Sequence, residues 1–226
     1  MSQSSTVLTP KLYLLTNDDE FELLYQKLEA ALETGLISLL QIRRKKTLAL
    51  PDGELQLYEE ALKIVRLANT HNVPIVINDD INLAAKLGVG VHLGQKDGNI
   101  SDAKRALASD QIIGRTCHGN VALVKEAINE GASYAAMGAV FASKTKPNAD
   151  TISHQQLMEG CQQDIDICVI GGLTAENVSE LARLPIGYVA VVGDIMNLPV
   201  AQIAERCHQW QQAFSEWGKL ASQSTR

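Results

Sequence analysis

Three kinds of side chain in this sequence could do chemistry together: carboxylates, cations and hydroxyls, each set just after a short apolar run. Pro74-Ile75-Val76-Ile77 has the pattern of a strand buried on both faces and changes abruptly to Asn78-Asp79-Asp80. A carboxylate at the carboxyl end of a buried parallel strand faces the region where such folds hold ligands. Asp79 is therefore either a metal ligand or the N-cap of the helix that follows, a position that favours Asp. A second run, Val89-Gly90-Val91-His92-Leu93, leads through Gly94-Gln95-Lys96 to Asp97. Two carboxylates leaving neighbouring strands, with no Cys or His pair beside them, suit a hard cation such as Mg²⁺ completed by water and phosphate oxygens. The plainer alternative makes Asp97 a turn cap before Gly98. His92, embedded in apolar residues, reads as a hydrogen-bonded core residue rather than a base.

The cations and hydroxyls fall at other strand ends. In Gln41-Ile42-Arg43-Arg44-Lys45-Lys46 an extended chain puts Gln41, Arg43 and Lys45 on one side. Arg would fork onto phosphate oxygens there and Lys would act as a point charge; a solvated basic loop is the alternative. Gly114-Arg115-Thr116-Cys117-His118 offers Thr116 as a hydroxyl donor to an anion or to local backbone. Its His118 is either an acid/base or an exposed bystander. Ser143-Lys144-Thr145-Lys146 interleaves two hydroxyls with two ammoniums, a grouping that suits a phosphate or diphosphate. Gly171-Gly172 and Val192-Gly193 follow the last two apolar runs, and glycine lets a backbone approach an anion closely.

Eight short runs carry these residues, beginning near Lys11, Leu36, Pro74, Val89, Gln111, Tyr134, Asp166 and Tyr188. Helical patterns lie between them: Phe21 to Leu32, Leu55 to Asn69, Ile81 to Leu87, Ser101 (as cap) to Ala108, Val121 to Glu130, a helix from Ser153, Glu176 to Arg183, and Val200 to Trp217. Asn17 or Asp18 is read as the first helix cap. Eight strand–helix alternations in 226 residues predict one (β/α)₈ TIM-barrel domain with its active site where the strands end. Residues 1–10 are expected to be a lead-in and about 218–226 a frayed tail. The open doubly wound alternative is disfavoured, because Leu15-Thr16-Asn17-Asp18 lacks the glycines of a dinucleotide turn. Apolar residues make up 46%, enough for a large core, while aromatics at 4% and a net charge of −6 argue against nucleic acid as partner. Four scattered cysteines without CxxC spacing, a start with no signal-peptide pattern and no long apolar segment predict a cytoplasmic protein without a membrane partner. A homo-oligomer is left open.

In chain order the motifs resemble the thiamine-phosphate synthase family across roughly residues 11 to 210. Gln41-Ile42-Arg43-Arg44-Lys45, Asn78-Asp79, His92-Leu93-Gly94-Gln95-Lys96-Asp97, Gly114-Arg115-Thr116, Ser143-Lys144-Thr145-Lys146, Ile170-Gly171-Gly172 and Val192-Gly193 carry the likeness. The resemblance implies a transferase using Mg²⁺ that joins a pyrimidinylmethyl group, taken from its diphosphate, to a thiazole phosphate. By matching positions, Gln41, Arg43, Lys45, Asn78 and Lys146 would hold the pyrimidine diphosphate. Asp79 and Asp97 would hold the metal, and Thr116 would face the leaving diphosphate. Ser143, Lys144 and Thr145, with Gly172 and the Val192-Gly193 turn, would hold the thiazole phosphate. Arg43, Lys45, Thr116 and Lys146 are the residues expected to act on the reacting groups. The pattern departs at Arg44 (usually Glu), Thr116 (usually Ser), Ser143 (usually Thr), Gly193 (usually Ser) and Ala142 (commonly Pro). Two alternatives stand beside it: a thiazole tautomerase using His118, and a non-catalytic barrel that binds thiazole or thiamine phosphates.

Overall fold

A computed structural model describes residues 9–142 and 150–223, with side chains to residue 220. Its strands are β1 (Lys11–Leu15), β2 (Ile37–Ile42), β3 (Ile75–Asn78), β4 (Gly90–Leu93), β5 (Ile113–Thr116), β6 (Tyr134–Met137), β7 (Asp166–Ile170) and β8 (Tyr188–Val191). All are parallel, pair in sequence order and close through β8 onto β1, giving the (β/α)₈ barrel. The helices are α1 (Phe21–Leu32), α2 (Lys45–Leu48), α3 (Gly53–Thr70), α4 (Ile81–Leu87), α5 (Ile100–Ala106), α6 (Val121–Glu130), α7 (His154–Cys161), α8 (Gly193–Met196) and α9 (Val200–Gln223). A 3₁₀ turn at Val178–Leu181 stands in the seventh helical place. Among the described residues no helix is long and apolar enough to cross a membrane.

The period of two along each strand divides the core in two. Leu12, Leu14, Leu40, Ile42, Ile75 and Ile77 point outward under the helices, where α1, α3 and α9 add Leu24, Leu28, Ile64, Trp210 and Trp217. Tyr13, Leu15, Leu39, Val76, Tyr134, Ala136, Cys168 and Ala190 fill the inside of the barrel. Size alternates there: a Cβ on Gly114 would overlap the Tyr134 ring, so glycine at that position makes room for the tyrosine on the neighbouring strand. The inward series continues upward to Gln41, Asn78, Thr116 and Ile170, so the residues closing the inner core lead directly to the rim.

Several local expectations are corrected. Glu20, not Asn17 or Asp18, precedes α1. Asn17 Nδ2 is engaged by the Met196 carbonyl (3.1 Å), and Asp18 Oδ1 accepts from the Lys46 amide (3.1 Å). The α5 helix starts at Ile100, two residues earlier than a Ser101 cap allows, with extended Asn99 ahead of it. Strand β5 is shifted two residues onward, because its partners are Val91, His92 and Leu93 rather than the start of its own apolar run. The last helix continues past Trp217 to Gln223. Ser153 does cap α7, as half of a capping box with Gln156.

Candidate active site

The expected extension of β2 through Lys45 does not occur. The strand ends at Ile42, and Lys45 already opens α2. Thr16 Oγ1 fixes the exit by accepting from the Arg43 amide (2.8 Å) and donating to the Arg43 carbonyl (3.1 Å). Arg44 then turns inward and is 5% exposed. Its Nε donates to Glu60 Oε2 (2.9 Å), and its Nη1 donates to the carbonyls of Asn17 (2.9 Å) and Asp19 (2.6 Å). Arg44 is thus a buried strut tying the β2 exit to the β1–α1 loop and to helix α3, which accounts for an arginine at that position. The kink still brings Lys45 to the rim, 3.6 Å from Asp79 Oδ2.

The capping role that sequence left open at Asp79 falls to its neighbour. Asp80 is the cap, its Oδ1 accepting from the Leu83 amide at 2.8 Å. Asp79 stands in the left-handed region at φ 66, uncommon outside glycine and a cost of about 1 kcal/mol or more. This turn swings its carboxylate toward the β4–α5 loop, where Oδ1 accepts from the Gly94 amide (3.2 Å). Asn78 Nδ2 donates to Oδ2 (2.6 Å) and fixes the carboxylate from the other side.

Gly94 is also where Asp97 arrives. A Cβ at Gly94 would overlap Asp97 Oδ2 and stand 3.6 Å from Asp79 Oδ1, so the two carboxylates flank one point on the rim. Arg115 braces that loop from β5, donating to the carbonyls of Gly94 (2.9 Å) and Gly98 (2.8 Å). Among the described residues no three His, Cys, Asp or Glu side chains cluster as a metal site. Two carboxylates converging beside Gly94 are nevertheless a donor set that suits Mg²⁺, which keeps several waters and takes phosphate oxygens for the rest of its shell.

Beneath the rim runs a chain of polar side chains that sequence did not reveal. Gln41 Nε2 donates to Tyr13 Oη (2.6 Å), and Tyr13 Oη meets Tyr134 Oη (2.8 Å). Tyr134 Oη meets His92 Nδ1 (2.8 Å), and His92 Nε2 meets Thr116 Oγ1 (2.9 Å). Burial pushes His92 down to about 4, so its ring is neutral near pH 7, and it pushes both tyrosine hydroxyls well above their ordinary range. His92 is the packed core residue expected from its apolar setting. The only early sign of Tyr13 and Tyr134 was their inward parity in two strands 121 residues apart.

On the opposite side, a cavity of about 890 Å³ is lined by Ala142, Gly171, Gly172, Val192, Gly193 and Asn197, among others. Gly171 and Gly172 have φ of 104 and 64, and a side chain on Gly172 would strike the carbonyls of Phe141 and Ala142. The β6 exit is therefore packed against the β7 turn. Val192-Gly193 opens α8, which is held from α9: Asp194 accepts from Arg206 Nη2 (2.6 Å), Arg206 Nε (2.9 Å) and Trp210 Nε1 (2.8 Å). Glu176, through its bond to Arg206, is held down to about 2. Ser143, Lys144, Thr145 and Lys146 lie outside the described residues. His118 is exposed, with φ 50.

These features define a (β/α)₈-barrel enzyme with its polar residues on the carboxyl rim of the strands. Comparison with known proteins makes the assignment sharper. The family model described as thiamine monophosphate synthase matches residues 12–195. A protein of Methylobacillus flagellatus named thiamine-phosphate synthase is 34% identical over 205 residues, covering 90% of this chain and 95% of that one. Thiamine phosphate pyrophosphorylase from Pyrococcus furiosus has a similar structure, with a TM-score of 0.76 at 24% identity over 92% of this chain and 97% of that one. The namesake from Bacteroides thetaiotaomicron gives 0.60 at 18%, covering 91% and 98%. At these identities the two structures support the fold alone. The chain belongs to the thiamine monophosphate synthase family and is a transferase.

Proposed function

We propose that this rim transfers the 4-amino-2-methylpyrimidin-5-ylmethyl group from its diphosphate to 4-methyl-5-(2-phosphooxyethyl)thiazole or its carboxylate form. The methylene–oxygen bond breaks with its electron pair leaving on the diphosphate. The thiazole ring nitrogen then donates its lone pair to the methylene carbon, giving thiamine phosphate and free diphosphate. The electron-rich aminopyrimidine stabilises the cationic methylene, so no nucleophilic side chain is required. What the protein must supply is preplaced positive charge for the leaving group and close alignment of the two halves.

The observation that carries this reading is the convergence of Asp79 and Asp97 on Gly94, with Lys45 beside them. Asp79 and Asp97 would hold Mg²⁺, which when bound neutralises charge on the departing diphosphate. Arg43, Lys45 and Lys146 add positive charge, and the Thr116 hydroxyl donates to a diphosphate oxygen. Gln41 and Asn78 orient the pyrimidine half. Ser143, Lys144 and Thr145, together with the backbone at Gly172 and Val192-Gly193, bind the thiazole phosphate.

The test mixes purified protein with both phosphorylated halves, with and without Mg²⁺, and follows diphosphate and thiamine phosphate. Equal release of both products, dependent on the metal, is expected. Binding of the thiazole phosphate in calorimetry without any diphosphate release would make the barrel a sensor instead. Metal-free isomerisation of the thiazole carboxylate phosphate, lost in His118→Ala, would make it a tautomerase.

A further inference from the structure

We infer that the buried chain Gln41–Tyr13–Tyr134–His92–Thr116 has one hydrogen-bond direction, which turns the Thr116 hydroxyl hydrogen out toward a bound anion and makes Tyr13, Tyr134 and His92 positioning residues. The inference rests on the reading that Thr116 faces the leaving diphosphate, and it adds how that hydroxyl is oriented.

The argument is an accounting of hydrogens. Gln41 meets Tyr13 through its Nε2, which can only donate. Tyr13 Oη therefore accepts on that side and has one hydrogen left, which goes to Tyr134 Oη, 2.8 Å away. Tyr134 Oη, having accepted, donates its own hydrogen to His92 Nδ1, also 2.8 Å away. A ring nitrogen that accepts carries no proton, so the neutral imidazole bears its hydrogen on Nε2. That hydrogen goes to Thr116 Oγ1 at 2.9 Å. Thr116 is left with its hydroxyl hydrogen unused, since among the described residues Oγ1 has no second partner. A ring protonated at both nitrogens breaks the sequence, because Tyr134 would then be left with a buried hydrogen and nothing to receive it.

Packing makes the direction durable. Tyr134 stacks on His92 with ring centroids 5.6 Å apart and meets Tyr13 edge-on at 5.8 Å. Gly114 leaves the space that Tyr134 fills. Gln41 on β2 and Thr116 on β5 are thereby coupled across the barrel. Were the Gln41 amide turned over, every bond would reverse: His92 would carry its proton on Nδ1, and Thr116 would spend its hydrogen on His92 Nε2. The anion would then meet a lone pair instead of a donor.

Long-range ¹H–¹⁵N correlation on histidine-labelled protein at neutral pH reads the direction, with His92 assigned from a His92→Gln sample. The expected result is a pyrrole-type Nε2 and a pyridine-type Nδ1. An Nδ1–H tautomer or a doubly protonated ring would overturn the inference. In Tyr134→Phe, which keeps the ring but removes the hydroxyl, the two tautomers should mix. Turnover should fall about ten-fold with KM for the thiazole phosphate unchanged, the loss expected of one misdirected hydrogen bond. An unmixed tautomer in that variant would also overturn it. The spectrum is read without substrate, so failure of the proposed reaction and failure of the hydrogen-bond direction are distinguishable.

Discussion

Asp79→Ala is expected to lower turnover by about 10²-fold or more, while Asp80→Ala, one residue away, should leave turnover near normal and cost about 1 kcal/mol of stability. The contrast follows from geometry. Asp80 closes the first turn of α4 by accepting from Leu83, the one side-chain bond it makes among the described residues. Asp79 adopts a left-handed backbone, accepts from Gly94 and Asn78, and shares its surroundings with Asp97 and Lys45. Removing it would take away one of the two carboxylates proposed to hold the divalent ion and would leave Lys45 without the carboxylate 3.6 Å away. A loss confined to transition-state stabilisation of a leaving diphosphate corresponds to about 3 kcal/mol. Steady-state kinetics at saturating Mg²⁺, paired with thermal melts of both variants, checks this. Lys146→Ala is expected to lose turnover on the same scale. Near-normal rates in both Asp79→Ala and Lys146→Ala would remove them from the mechanism.

Arg44→Met is expected to have the largest effect on stability, about 4 kcal/mol, a fall in Tm on the order of 10 °C for a chain of this size. It leaves Glu60 buried without its ion-pair partner, and among the described residues only Thr47 (3.4 Å) and Gln56 (3.0 Å) remain as side-chain donors. It also strips the donor from the Asn17 and Asp19 carbonyls. A second change, Glu60→Leu, removes the orphaned charge, so the double variant should be more stable than Arg44→Met alone. Differential scanning calorimetry on the single and double variants measures this. Because Arg44 ties the β1 exit to the segment bearing Arg43 and Lys45, turnover should fall in Arg44→Met even below its melting range. An Arg44→Met protein that melts with the parent would show the strut to be dispensable.

The barrel was legible because its local and long-range signals agree. Helices α4 and α6 end where left-handed glycines follow them, Gly88 and Gly131, and each begins after a side chain that caps it, Asp80 and Asn120. The short helices α2 and α8 were not legible, since four residues carry no period to read. Parity set Arg44 on the other side from Arg43 and Lys45, and the family pattern marked it as a departure, but neither gave it a partner. Only the third dimension reveals that it turns inward while Lys45 turns out. The motif singles out Thr116 but not its setting, because the shift of β5 depends on β4 and β6 rather than on its own run. The Tyr13–Tyr134–His92 relay joins three strands far apart in the chain, and no spacing within any one of them announces it.

The most direct measurement of the shared-ion claim is Mn²⁺ binding followed by electron paramagnetic resonance in the presence of the pyrimidine diphosphate. One tightly held ion per chain is predicted, weakened in Asp79→Asn and in Asp97→Asn alike, with the double variant little worse than either single one. Undiminished binding in both single variants would contradict the claim that the two carboxylates beside Gly94 hold one ion.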